Sequence, residues 1–115
     1  MIIGTGIDII EIERIKTSIT KYGLNFIRHI FTDEEIAYVK KYKTPYQHYA
    51  VRFAAKEAVY KALGDTTISW KDIVIFNDKE GRPFCRISKL KSKYKIHISL
   101  SHSRHYAVAH AIVEK

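Results

Sequence analysis

"YQHYAVRFAAKEAVYKALG", residues 46–64, is the stretch around which the rest of the chain is organised. It is alanine-rich, free of proline and closed by Gly64, a residue suited to the left-handed conformation that ends helices. One long helix over 46–64 is predicted. Within it Glu57 and Lys61 lie four residues apart and project from one side, together with Ala50, Phe53 and Ala54. Small alanines let such a helix approach a neighbouring element closely, which would half-bury both charges. The plainer alternative is an ion pair along an exposed face, worth about 0.3 kcal/mol.

Upstream, "MIIGTGIDII", residues 1–10, alternates as a strand over 2–10, with Ile3, Thr5, Ile7 and Ile9 on one face and Gly4, Gly6 and Asp8 on the other. A buried strand is expected, its glycine face stripped of side chains and open to a ligand or another backbone. A carboxylate in that setting is costly unless something positive meets it. Next, Ile12, Ile15, Ile19 and Tyr22 recur at helical spacing up to Gly23, predicting an amphipathic helix with Arg14, Lys16 and Lys21 among its polar positions. A short helical piece around 24–30 carries Arg28, and Thr32-Asp33-Glu34-Glu35 has the form of a capping box opening a helix that runs to about Lys43, before Pro45. Downstream, "DIVIFN" (72–77) and "FCRIS" (84–88) read as strands around the turn composition of "NDKEGRP". "YKIHISLS" (94–101) and "YAVAHAIV" (106–113) follow, joined through His102-Ser103-Arg104-His105. Strand, helices, then strands predict an α+β fold with a largely antiparallel sheet packed on a long central helix.

The 115 residues amount to a single domain, 1–115, and 46% hydrophobic with 28% charged residues is globular composition. No linker, repeat or low-complexity run interrupts it. No basic segment precedes an apolar one at the start and no apolar run reaches about 18 residues, so a soluble, cytoplasmic protein that does not enter membranes is expected. Cys85, the single cysteine, has no internal disulfide partner, in keeping with a reducing compartment. The net charge of +8 attracts polyanions: nucleic acid, a polyphosphate ligand or an acidic protein. Basic residues concentrate at Lys40, Lys41 and Lys43 and at Lys89, Lys91, Lys93 and Lys95, runs that also suit plain solvated faces.

Asp8 and Glu57, with water and phosphate oxygens, would make a suitable Mg²⁺ site, since Mg²⁺ takes one or two protein carboxylates and completes its octahedron with such ligands. Lys61, one turn beyond Glu57, would neutralise the same phosphate. Equally open is a structural bridge from Asp8 to Arg52 or another cation. His97, His102, His105 and His110 cluster near the end of the chain, but a zinc site needs about four N or S ligands and Cys85 has no CxxC companion. "SLSHS", residues 99–103, places hydroxyls and an imidazole at a strand end, where they can donate to phosphate oxygens or simply form a polar turn. The chain has neither a G-x-S-x-G elbow nor a Walker-type loop, which argues against a serine hydrolase or a nucleoside triphosphatase. A nucleic-acid-binding module is the rival that +8 and eight tyrosines suggest, but no recognised binding motif supports it, and no nucleic-acid partner is expected.

"GIDIIEIERI" (6–15), "RFAAKEAVYKALG" (52–64), "ISWKDIVI" (68–75) and "SLSHSRHYAVAHAIVE" (99–114) together resemble the holo-acyl-carrier-protein synthase type of 4′-phosphopantetheinyl transferase, in order along nearly the whole chain. The resemblance implies the 4′-phosphopantetheinyl transferase fold, and transfer of phosphopantetheine from coenzyme A to a serine of apo acyl carrier protein with release of adenosine 3′,5′-bisphosphate. It also implies Mg²⁺ dependence, service to fatty acid biosynthesis, and a homotrimer with its sites at subunit interfaces. On that pattern Asp8 and Glu57 are the expected magnesium ligands, and Lys61 is expected on the coenzyme A pyrophosphate. Arg52, Gly64 and His102 border the coenzyme A phosphates, and Arg14, helped by Lys16, Lys21 and Arg28, docks the acidic carrier protein. The base that takes the serine proton is either Glu57 or a metal-bound water. One departure stands out: after Gly64 the family usually has a second small-residue turn, and here Asp65-Thr66-Thr67 follows, with Asp65 expected to point outward.

Overall fold

The chain, a computed structural model, is described over residues 1–65, 67–88 and 93–115. Lys89 and Lys91 of the second lysine concentration, and Thr66 of the loop after the long helix, lie outside these. Strand β1 (Ile2–Glu11) leads into helices α1 (Ile12–Tyr22), α2 (Leu24–Ile30) and α3 (Asp33–Val39), then the long α4 (Tyr46–Leu63). A 3-10 turn at Trp70–Asp72 opens β2 (Ile73–Asn77), followed by β3 (Pro83–Ile87), β4 (Lys95–His102) and β5 (Tyr106–Glu114). The strands form two antiparallel sheets, a three-stranded one in the order β1-β5-β4 and the β2-β3 hairpin. Among the described residues no helix is long and apolar enough to cross a membrane.

Helix α4 is the hub because its alanines permit it. Ala54, Ala55, Ala58 and Ala62 are buried against Ala109, Ala111 and Val113 of β5, while Ala50 and Val51 join a second core with Ile15, Ile27 and Val39 from the other helices and Phe31 just past the end of α2. Gly4 and Gly6 complete the fit. A Cβ at Gly4 would stand 1.9 Å from the Ala62 carbonyl oxygen, and one at Gly6 2.0 Å from that of Ala58. At Gly4 and Gly6 this face is therefore filled by the backbone of α4, the second of the two uses expected for it, and it opens into a cavity at Asp8. The isoleucine face is a correction: Ile7 and Ile9 are 64% and 62% exposed, so β1 is buried on its small-residue side and open on its large one.

Helix α3 begins at the expected capping box, with the Glu35 amide donating to Thr32 Oγ1 and the Thr32 amide to Glu35 Oε1. It ends at Val39, not near Lys43. The last turn tightens into i→i−3 bonds, Lys41 N–H to Tyr38 O and Tyr42 N–H to Val39 O, which turn the chain early. Tyr42 then meets the Tyr38 hydroxyl at 3.0 Å and stacks on His48 with ring centroids 3.7 Å apart. Behind α4 sits a buried ion pair in which Lys56 Nζ donates to Glu35 Oε1 at 2.6 Å, both side chains being fully enclosed.

Candidate active site

Asp8 comes from the middle of β1 and Glu57 from the middle of α4, and the close strand–helix contact that Gly6 permits brings them to one cavity of about 450 Å³. Glu11, Arg14, Phe26, Phe53 and Tyr106 also line it. Partial burial pushes the Glu57 carboxyl above the usual range, the negative charge of Asp8 pushes it further, and Lys61 opposes both. Two carboxylates thus repel one another across a cavity wall, the condition a divalent cation relieves. Among the described residues no group of three or more His, Cys, Asp or Glu gathers that could hold a metal ion, and what Asp8 and Glu57 offer is two carboxylates, a number that Mg²⁺ with its retained oxygen ligands accepts from a protein. The residues fit the ion.

Lys61 Nζ donates to Asp8 Oδ1 at 3.1 Å and to the Ile7 carbonyl at 3.0 Å. Of the cations weighed as a partner for Asp8, this is the one the fold supplies; Arg52 is engaged elsewhere. The Lys61 side chain is 50% exposed and that of Asp8 16%, so the pair is open to solvent on the Lys61 side, where one ammonium proton is left for an anion.

Arg52 is only 3% exposed. Its guanidinium donates to Asn77 Oδ1 at 2.6 Å and to the His48 carbonyl at 3.4 Å, and lies 4.3 Å over the Tyr38 ring, while its buried Nε has no hydrogen-bond partner among the described residues. His48 links it to the exposed end of β4: burial lowers the His48 pKa, and the charges of Arg52 and then His102 lower it further. Arg52 and His102 therefore share one electrostatic neighbourhood, separate from the lining of the carboxylate cavity. Gly64 caps α4 in the left-handed region, φ +66°, its N–H donating to Tyr60 O. Just beyond, Asp65 Oδ1 accepts from the Thr67 amide and hydroxyl at 2.9 and 2.6 Å, so its carboxylate folds back on its own loop.

On α1, Arg14 reaches the cavity, whereas Lys16 and Lys21 lie over the rings of Tyr46 and Tyr22 at 5.5 and 5.3 Å. Arg28 is exposed on α2. Sequence reading passed over Glu11, Phe26 and Tyr106. Alternation along β1 sets Glu11 on the face opposite Asp8, so its place in the lining was not legible, and Tyr106 reaches the cavity through the β1–β5 register that pairs it with Glu11. Lys56 was passed over too; a lysine set between Ala55 and Glu57 on an alanine-lined helix was the available signal.

The family model of the 4′-phosphopantetheinyl transferase superfamily matches residues 4–111. A curated relative, the holo-[acyl-carrier-protein] synthase of Protochlamydia amoebophila, is 49% identical over 119 residues, covering 97% of this chain and 98% of its own. Among solved structures, the holo-(acyl-carrier-protein) synthase of Bacillus anthracis in complex with CoA (3′,5′-ADP) superposes with a TM-score of 0.89 at 38% identity, covering 100% of this chain and 98% of the other. The Neisseria meningitidis holo-[acyl-carrier-protein] synthase superposes at 0.91 with 31% identity and complete coverage of both chains.

Proposed function

The chain belongs to the 4′-phosphopantetheinyl transferase superfamily, and from that premise we propose that it is a holo-[acyl-carrier-protein] synthase that moves 4′-phosphopantetheine from coenzyme A to a serine of apo acyl carrier protein. The observation that carries the reading is the convergence of Asp8 and Glu57 on one cavity, with Lys61 bonded to Asp8, from a strand and a helix locked together by glycine. In the reaction the serine Oγ bonds to the β-phosphorus of coenzyme A as the bond to the adenosine 3′,5′-bisphosphate breaks, and the serine proton must leave. Asp8 and Glu57 would hold Mg²⁺, which when bound supplies positive charge for the phosphate oxygens. Lys61, half-exposed and already aimed along the Asp8 edge, adds its ammonium to the phosphoryl oxygens as charge builds there. Glu57, whose carboxyl is drawn above the usual range, is placed to take the serine proton directly or through water.

Arg52 and His102, with Gly64 at the end of α4, border the coenzyme A phosphates, a reading supported by the two basic side chains acting on the same His48. Arg14 on α1 receives the acidic carrier protein, helped by Lys16, Lys21 and Arg28. The exposed Ile7 and Ile9 support a homotrimer in which neighbouring subunits cover that face and border each site. The enzyme works in the cytoplasm and supplies holo carrier protein to fatty acid biosynthesis. The test is direct: the protein is mixed with coenzyme A, Mg²⁺ and an apo carrier protein, and the carrier is weighed by mass spectrometry. A phosphopantetheine increment on the carrier serine is expected. An unmodified carrier, with the synthase folded and in excess, refutes the reading.

A further inference from the structure

Lys56, immediately before Glu57, has no part in the reaction outlined above, yet its ammonium is wholly enclosed and fully engaged. Nζ donates to Glu35 Oε1 at 2.6 Å, to the Ile30 carbonyl at 2.8 Å and to the Trp70 carbonyl at 3.0 Å, three acceptors for three protons. Glu35 is held in turn, Oε1 accepting the Thr32 amide and Oε2 the Ile75 amide at 2.9 Å. One buried pair thus ties the end of α2, the start of α3, the 3-10 turn and β2 to the helical turn that bears Glu57.

Trp70 is where this network meets the site. Its carbonyl is fixed by Lys56, and its ring stacks on Phe53 at 5.0 Å, the same Phe53 that lines the carboxylate cavity. Trp70 also helps bound a second cavity of about 310 Å³ with Lys56, Tyr60, Ile68, Ser69 and Ile73, and Glu57 borders both cavities. The carboxylate cavity, proposed above for the phosphates, and a mixed apolar and hydroxyl-lined space that shares Glu57 with it suit a ligand in which a phosphate is joined to a flexible, amide-bearing chain.

We propose that Lys56 is a positioning residue for the donor: by holding the Trp70 carbonyl it shapes the second cavity, and the pantetheine arm of coenzyme A lies in it. This rests on the synthase reading above. The charge of Lys56 is confined to the network, and what reaches the substrate is the placement of Trp70.

The variant Glu35→Gln/Lys56→Met removes both charges together, which avoids stranding either one in the core. Binding of coenzyme A and of adenosine 3′,5′-bisphosphate, which lacks the arm, is measured by calorimetry with Mg²⁺ for the wild type and the variant. The Kd for coenzyme A is expected to weaken about tenfold, with that for the bisphosphate changing by less than about twofold. The KM for coenzyme A should rise while that for carrier protein stays put. Trp70, the single tryptophan, should show red-shifted emission as its wall loosens. Should the double variant fail to melt cooperatively, Trp70→Ala removes the wall with the ion pair left intact and is expected to give the same selective loss. Equal weakening toward both nucleotides, or no change toward either, overturns the positioning role. A wild type that binds neither nucleotide overturns the synthase reading and this inference with it.

Discussion

Asp8 carries two relationships at once, an ion pair with Lys61 and electrostatic opposition to Glu57. They predict different responses to its removal. Because Lys61 is half-exposed, Asp8→Asn should cost less than about 1 kcal/mol in EDTA, as for solvent-screened pairs. Transfer should be lost, and so should the Mg²⁺-dependent rise in melting temperature that follows when an ion binds only the folded state. Thermal melts with EDTA and with Mg²⁺ decide the matter: an Asp8→Asn protein that still gains stability from Mg²⁺ as the wild type does is not missing a metal ligand. His48 gives a second prediction. Burial, then Arg52 and His102, lower its folded pKa below the ordinary 6.5, so between the two values the unfolded chain binds more protons. Its contribution is fully present above 6.5 and is lost as the pH falls through the lowered value. His48→Gln should flatten the fall in stability between neutral and mildly acid pH, read from urea midpoints; an unchanged profile removes His48 as its source.

At the scale of elements, the contact between β1 and α4 makes the sharpest claim. Gly6→Ala would drive a methyl group into the Ala58 carbonyl, and neither a strand paired along its length with β5 nor a buried helix yields easily, so a loss of about 3 kcal/mol is expected, at the upper end for overpacking. Gly81→Ala, at φ +86° in the open β2–β3 turn, should cost only about 1 kcal/mol. Denaturant unfolding of the two variants, with losses of equal size, would remove the tight-contact account. Helix α1 presents Arg14 at the cavity, and Arg14→Glu should raise the KM for carrier protein several-fold while leaving coenzyme A affinity unchanged, with the effect fading at high salt as the Debye length shrinks to about 3 Å at 1 M. Equal loss toward both substrates would count against docking. Most of these elements were legible in the sequence, since Gly23, Gly64, the Thr32–Glu35 box and the alternation of β5 are local signals. What was not legible depended on partners distant in the chain. Period two divides β1 into an isoleucine face and a glycine face but does not say which side a helix made of alanines will choose. The meeting of Asp8 with Lys61, and the burial of Lys56 and Arg52 on a helix that reads as charged, follow from that same choice.

For the whole molecule, the face carrying Ile7 and Ile9 sets the expectation for assembly. A trimer that covers it predicts that Ile7→Arg, which leaves the buried face of β1 untouched, yields a folded monomer without transfer activity. Sedimentation of wild type and variant checks this, and an active wild-type monomer would dispose of shared sites. The sheet order has a consequence for how the protein is made. β5, the last strand, lies between β1, the first, and β4, pairing Ile2 with Glu114 along one side and Lys95 with Glu114 along the other. Among the described residues β5 is the strand that pairs with β1, and nearly all the other elements lie between the two in sequence, so β1 is made long before it can pair and its backbone donors wait on a contact of high sequence separation, which closes late in folding.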